Sequence, residues 1–400
     1  MRGKGEGSIY KKSNGTWIGQ YYNNEVPAKR KTVSGKTRKE VQQKMVKALQ
    51  QLAEGTYRET PKVIMKVFMQ EYLENYKKQE IQRTTYDNYR ECMERHFYNS
   101  NVGDMELGKI TVDILQRYYN AKVESGLSSR SVRYIHSILN GGFENARKRG
   151  MRLDNPNKDV SLPRKVHKEI MPPTLDEVRK FMEYEKDKPE YGLWRVYILN
   201  GLRRSEALAI QKKDINWDTG EIKLRYSLGY IRNEGLENSK RKMIYVLKED
   251  MKNKTSMGSI FVDEETLAAL KSTMERQSYN KKTHKDIYHD SVLFMSSDNR
   301  FSMIENDLLF AKEDGYFIPG RRVLDNLHRD FEMCGIPKHR VHDLRHFFGT
   351  QSLVATGGNL KLTSSLCRHK QVSTTAEIYL HNDNIQKMEA QRKLVDMIGI

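Results

Sequence analysis

Two proline-marked breaks cut this chain into three pieces with different hydrophobic periodicities, and this segmentation constrains the fold more than any single motif. The first break falls at residues 55–61, ending on Pro61. The second begins at Asn155-Pro156 and continues through Pro163, Pro172 and Pro173. Proline fixes its own φ and pushes the preceding residue toward extended backbone, so neither stretch favours a continuous helix. A length of 400 residues also exceeds what one ordinary core accommodates. The expectation is a multidomain protein with pieces at 1–58, 59–165 and 170–400: a small β-sheet plus helix, an all-α helical domain, and a mixed, mainly α, α+β domain.

The first piece reads as a sheet followed by one helix. Asn14-Gly15 separates Ser8-Ile-Tyr-Lys-Lys from Trp17-Ile-Gly-Gln-Tyr-Tyr22, which predicts a hairpin with a tight turn at positive φ. Lys29 to Ser34 supplies a third strand. From Thr37 the pattern becomes helical, with Val41, Met45, Ala48, Leu49 and Leu52 on one face and Gly55 as a stop. Residues 1–55 hold 12 Lys or Arg against 4 Asp or Glu, a net of +8 within a chain of net charge +18. Such density favours a polyanionic partner, and a basic sheet can enter a DNA groove.

In the second piece, residues 63–78, 84–97, 111–124 and 128–149 each show helical spacing, with Thr111 and Ser128 as N-caps and Gly126 and Gly150 as stops. The last helix carries Arg130, Arg133, Arg147, Lys148 and Arg149, suited either to phosphates or to a solvated face. In the third piece Thr174-Leu-Asp-Glu177 is a capping box. A turn and a strand are expected over 219–226, with further strands near 243–247 and 259–262, and Asp263-Glu-Glu opens a helix by placing carboxylates at its positive end. Residues 277–304, rich in Lys, His, Asp and Ser, read as an inserted loop.

Composition excludes several classes. Cys92, Cys334 and Cys367 are widely spaced, which gives neither a disulfide framework nor a thiolate zinc site. No apolar run approaches the ~18 residues of a membrane span, and the N-terminus lacks the hydrophobic stretch of a secretory signal. A cytoplasmic, DNA-associated protein without a membrane partner is expected.

Four scattered segments hold the residue types that phosphoryl transfer needs. They are Asn200-Gly-Leu-Arg203-Arg204-Ser-Glu206, Met251-Lys252-Asn-Lys254, His342-Asp-Leu-Arg345-His346, and Arg368-His369 followed by Ser373-Thr-Thr-Ala-Glu-Ile-Tyr379. Each alone is weak, but their order resembles the catalytic set of the tyrosine recombinases, the phage integrase family. The resemblance implies catalytic Arg203, Lys252, His342, Arg345 and His369, with Tyr379 as nucleophile and Glu206 and Asp343 in support. It further implies an arm-type DNA-binding domain in residues 1–55, a helical core-binding domain over about 60–165, and a catalytic domain after them.

The chemistry requires such a set. Fork-shaped guanidinium groups match the nonbridging oxygens of a pentavalent phosphate, which suits Arg203 and Arg345. A phenol with a pKa near 10 needs a base, for which His342 is the candidate, and Lys252 would protonate the leaving 5′ oxygen. His369 would hydrogen-bond the phosphate. A covalent phosphotyrosine conserves the energy of the broken bond, so neither cofactor nor metal is expected. The implied partners are double-stranded DNA at core and arm sites and a homotetramer at synapsis, with room for an excisionase or host DNA-bending protein. Competing readings are a non-cutting DNA-binding regulator, a relaxing topoisomerase and a chromosome-dimer resolvase. The chain departs from the family pattern at Arg368, where Gly is usual. It departs again after the lysine loop, where Gly258-Ser-Ile-Phe261-Val262 replaces a basic residue and Ile-Pro-Leu, leaving Lys254 as rival to Lys252. Residues 382–400 carry an apolar stripe, expected to reach a neighbouring protomer or fold back on their own domain.

Overall fold

The computed structural model describes residues 7–22, 28, 30–53, 62–165, 171–237, 239–249, 258–368, 392, 395, 397 and 398. The chain divides into two units, residues 1–81 with 88–166, and residues 82–87 with 167–400. Among the described residues no helix is long and apolar enough to cross a membrane.

The first unit begins with an antiparallel sheet in the order β1 (Ser8–Lys11), β2 (Trp17–Tyr22), β3 (Arg30–Gly35). The hairpin is looser than the expected tight turn. Lys12 N–H donates to the Thr16 carbonyl at 2.9 Å, and Gly15 is left-handed at φ +85°. Asn14 acts through its side chain, which accepts from Thr16 N–H at 3.1 Å. This matches a three-residue loop ending in a left-handed glycine. Helix α1 (Arg38–Ala53) lays Val41, Met45, Ala48 and Leu52 against Tyr21, with Leu49 partly buried beside them. The intended stop at Gly55 and the linker before Pro61 lie outside the described residues.

The helical part follows as α2 (Met65–Tyr72), a wider five-residue π-turn (Leu73–Lys77), α3 (Lys78–Glu80), α4 (Arg83–His96), α5 (Val112–Glu124) and α6 (Ser129–Lys148). Thr111 and Ser128 are the N-caps, accepting from Ile114 and Ser131 N–H. The stretch after α6 is no free connector at its start. Asn157 is fully buried and bonds Tyr119 Oη at 2.6 Å, and its carbonyl meets His136 Nε2 at 2.8 Å. Pro156–Asp159 thus packs as a short 3₁₀ turn on the helices. Several of the α6 cations are committed internally. Arg133 donates to the Pro163 carbonyl, Arg147 pairs with Glu144, and Arg149 pairs with Glu71. Arg95, His96, Arg130, Arg133 and Tyr134 line a cleft of about 630 Å³.

In the second unit, α7 (Leu175–Glu185) starts at the Thr174–Glu177 capping box, and α8 (Tyr191–Asn200) leads into the short α9 (Arg204–Ala207). The strand expected at 219–226 splits in two at Arg225, whose guanidinium pairs with buried Asp214 at 3.1 Å. β4 (Glu221–Leu224) pairs with β7 (Gly258–Phe261), while β5 (Tyr226–Arg232) pairs with β6 (Met243–Glu249). Residues 277–304 are not an inserted loop. Helix α10 runs from Glu264 to Thr283, carrying Gln277 and Asn280 into the interior, and β8 (Ser291–Met295) and β9 (Phe301–Glu305) extend a sheet of order β5-β6-β8-β9. The difference comes from composition: polar and charged residues together outnumber apolar ones there, yet Val292, Leu293 and Met295 are buried. Helices α11 (Gly320–Met333), α12 (Val341–Ala355) and α13 (Leu360–Leu366) complete the unit around Phe181, Trp194, Tyr197, Leu327, Phe331 and Leu344.

Candidate active site

The site begins where α8 stops. Gly201 is left-handed at φ +56°, and a Cβ there would lie 2.2 Å from Phe348 Cδ1, so only glycine fits. Its carbonyl is thereby free to accept from Arg345 Nη1. Two residues on, Arg203 caps α9, and Glu206 accepts from the Arg203 backbone N–H at 3.0 Å and from its guanidinium. The neighbouring Arg204 is diverted elsewhere, donating to the Gly320 carbonyl at 3.1 Å. Arg203 keeps 37% of its side chain exposed, while Glu206 keeps 4%.

Helix α12 contributes the second part. Arg340 caps it, and Asp343 accepts from Arg340 N–H at 2.8 Å and from its guanidinium at 2.7 Å. Asp343 therefore secures the helix start and Arg340, the supporting task its geometry permits. His342 and His346, one turn apart, meet edge to face at 4.7 Å. Arg345 is 3% exposed and donates Nη2 to the Cys367 carbonyl as well as Nη1 to Gly201. One guanidinium thus ties the end of α8 to the end of α13. Arginine has five N–H donors, and among the described residues these two bonds commit two of them.

Arg368 stands in the last of the four segments, where it departs from the family pattern, and it enters this cluster. It is left-handed at φ +52°, a conformation rare for residues other than glycine and costing about 1 kcal/mol. Its Nη2 donates to Glu206 Oε2 at 3.0 Å, with 7% and 4% of the two side chains exposed. The available signal was a charged residue in a position where the family usually has glycine, just after a short helix. His346 likewise stands in one of the four segments, without an assigned role there.

The charges shift accordingly. Burial pushes the His342 imidazole below its usual range, and Arg345, Arg340 and Arg203 reinforce this against Asp343. It is therefore neutral near pH 7 and able to accept a proton. Burial also pushes His346 down, to about 4, with His342 adding to the effect. For Glu206 burial works upward, but Arg368 and Arg203 overcome it and hold the carboxyl below its ordinary value. Arg345 is lowered by burial and by the adjacent Arg203 and Arg368, while remaining a cation.

The structure thus brings together Arg203, Glu206, His342 and Arg345 from segments far apart in the chain, and adds Arg368. Lys252, its rival Lys254, His369 and Tyr379 lie outside the described residues, as does most of the stripe at 382–400. Among the described residues no group of three His, Cys, Asp or Glu side chains is placed to hold a metal ion.

Fork-shaped cations around a buried carboxylate, beside a neutral imidazole, define a site for an anion with several oxygens that must also lose or gain a proton. This is the equipment of a phosphoryl-transfer enzyme. The sequence pattern of the phage integrase family matches residues 173–385, and that of the phage integrase N-terminal SAM-like domain matches residues 51–123. The chain belongs to the phage integrase family and is a tyrosine recombinase, an enzyme that breaks and rejoins DNA. It is 24% identical over 374 residues to a XerC-like tyrosine recombinase of Caldanaerobacter subterraneus subsp. tengcongensis, covering 92% of each chain. It is also 24% identical over 316 residues to the ICEBs1 integrase of Bacillus subtilis strain 168, covering 76% of this chain and 77% of that one. The fold is similar to that of the Tn1549 transposon integrase in complex with transposon right end DNA, with a TM-score of 0.63 and 18% identity over 84% of this chain and 100% of the other. A lambda integrase tetramer bound to a Holliday junction matches at a TM-score of 0.54 and 15% identity, over 95% and 96% of the two chains.

Proposed function

We propose that this recombinase is the integrase of a phage or integrative element, inserting or excising that element through a covalent bond between Tyr379 and a DNA 3′ phosphate. The observation that carries the reading is the convergence of Arg203 and Arg345 beside neutral His342. Arg203 and Arg345 stabilise the charge that grows on the nonbridging oxygens. His342 takes the phenolic proton as Tyr379 Oη bonds to phosphorus. The bond to the 5′ oxygen breaks, and Lys252 gives that oxygen its proton, leaving a free 5′ hydroxyl. His369 hydrogen-bonds the phosphate. Attack by a 5′ hydroxyl from the partner strand then releases Tyr379 and reseals the backbone, so no outside energy source is consumed.

The domains take separate tasks in this reading: residues 1–58 bind arm sites, 59–165 hold the core site, and 170–400 cut. Support for an arm role is the basic sheet of β1 to β3 with α1, and support for core-site contact is the Arg95–Arg130 cleft. The working form is a homotetramer on paired double-stranded DNA sites in the cytoplasm, with an excisionase or host DNA-bending protein as accessory. An arm domain separates this reading from a chromosome-dimer resolvase.

The test is Tyr379→Phe on a nicked core site, read on a denaturing gel with mapping of the DNA-linked peptide. Loss of the adduct with DNA affinity nearly unchanged is expected, because phosphate contacts do not use the phenolic oxygen. An adduct that persists in the Phe variant, or maps to another tyrosine, would overturn the assignment. No adduct with the unaltered protein on its true site would favour a non-cutting regulator.

A further inference from the structure

A carboxylate bonded to a phosphate-binding arginine works against it. Glu206 is ionised, buried and bonded to Arg203 through both guanidinium and backbone N–H. Alone, it would neutralise much of the charge that Arg203 presents to a phosphate. In this chain Glu206 Oε2 also receives Arg368 Nη2 at 3.0 Å, inside a pair whose side chains are both more than nine-tenths buried. Two guanidinium cations, from Arg203 and Arg368, therefore bond one carboxylate, and that of Arg345 is near enough to feel its charge. Arg368 Nη1 reaches the Asn200 carbonyl at 3.4 Å, and its Nε is buried with no hydrogen-bond partner among the described residues. A left-handed backbone and an orphaned N–H are both costs that glycine at 368 would remove.

We propose that Arg368 is a positioning residue for DNA cleavage: it shares Glu206 with Arg203, so that Arg203 keeps its charge and orientation for the scissile phosphate. The inference rests on Arg203 as a phosphate ligand, as proposed above. Glu206 Oε2 is occupied by Arg368 and the Arg203 backbone, which leaves Oε1 to steer the Arg203 guanidinium. The turn at Arg368 follows Cys367, whose carbonyl receives Arg345. A change at 368 is thus felt at both arginines.

The experiment uses the full-length protein and a nicked duplex carrying the end of the element that encodes it. Single-turnover cleavage rate and half-saturating DNA concentration are measured separately for Arg368→Gln, Arg368→Lys, Arg368→Gly, Glu206→Gln and the double variant Glu206→Gln/Arg368→Gln. Arg368→Gln should slow cleavage about tenfold and shift half-saturation less than about twofold, because the loss falls on the transition state. Arg368→Lys, which keeps the charge, should recover to within about threefold of the unaltered rate. In the Glu206→Gln background, Arg368→Gln should change the rate less than about twofold, since no carboxylate charge remains to be shared. If Arg368→Gln fails to fold in a thermal melt, Arg368→Gly, relieved of the left-handed cost, takes its place. Cleavage at the unaltered rate in the Gln and Gly variants overturns the proposal, as does an equal loss with and without Glu206. A parallel loss of DNA affinity would make Arg368 a direct phosphate ligand instead. Absence of any adduct with the unaltered protein removes the role of Arg203 and this inference together, whereas normal cleavage with an indifferent position 368 removes this inference alone.

Discussion

Removing the Glu206 carboxylate should destabilise the second unit strongly, because it strands a buried cation. In Glu206→Ala, Arg368 loses a partner 3.0 Å away in a pair with 7% and 4% of side-chain surface exposed. The Coulomb attraction at that distance is about 5.5 kcal/mol at an effective dielectric of about 20. Breaking a buried pair from one side costs about 3–5 kcal/mol, since the remaining charge stays desolvated. The Arg203 contact adds little, about 1 kcal/mol at most, because that guanidinium is 37% exposed. For a unit of this size each kcal/mol moves Tm by roughly 2–4 °C, so a fall of roughly 6–20 °C is expected. The assay is tryptophan fluorescence in a Trp17→Phe background, where Trp194 and Trp217 both report on the second unit. Glu206→Ala/Arg368→Ala, which removes both charges, should recover more than half of the loss. A loss below about 1 kcal/mol in the single variant, or a double variant no better than the single, would refute the reasoning.

Two further outcomes are expected. Lys252→Ala should slow cleavage of a normal phosphodiester yet be rescued by a 5′-bridging sulfur, a leaving group that needs no proton, and Lys254→Ala should be milder; rescue that follows Lys254 would exchange the two assignments. His346 has a folded value of about 4 against an ordinary 6.5, so the unfolded chain takes up its proton first as pH falls. Its contribution is fully present above about 6.5 and is lost toward about 4. The whole difference corresponds to at most about 3 kcal/mol. Urea titrations across this range should show the loss in the unaltered protein and a flatter profile in His346→Gln, and identical profiles would refute the assignment.

Local rules made part of this fold legible. Thr111, Ser128 and Thr174 cap helices as expected, and Asp263 opens a helix as expected and also caps it, because a short polar side chain before an apolar period satisfies orphan N–H groups in any context. The region 277–304 failed because its order is set by distant partners. Strand β8 gains its place by parallel pairing of Leu247 with Phe294 and Lys248 with Met295, and Gln277 is held by the Ala311 carbonyl. Neither contact leaves a trace in local composition. Asn157 shows the same limit, since proline beside it signalled a linker while Tyr119 and His136 held it in the interior.

The gathering of Arg203, Glu206, His342 and Arg345 was legible for a different reason. Phosphoryl transfer restricts residue types so narrowly that four scattered segments, in the right order, carried more information than any one of them. Sequence could not say how each charged group is shared. Arg203 and Arg204 are adjacent, but the Gly320 carbonyl claims one and leaves the other to Glu206. Asp343 lies next to His342, but its oxygens belong to Arg340. Arg345 is both a candidate phosphate ligand and a clamp joining Gly201 to Cys367, 144 and 22 residues away in the chain. Substituting it would therefore disturb the scaffold together with any chemistry, and lost activity in such a variant would not separate the two. Tyr379→Phe deletes one oxygen and keeps the ring, which makes it the sharper probe of mechanism, while the Glu206–Arg368 pair is the sharper probe of how the scaffold bears its charge.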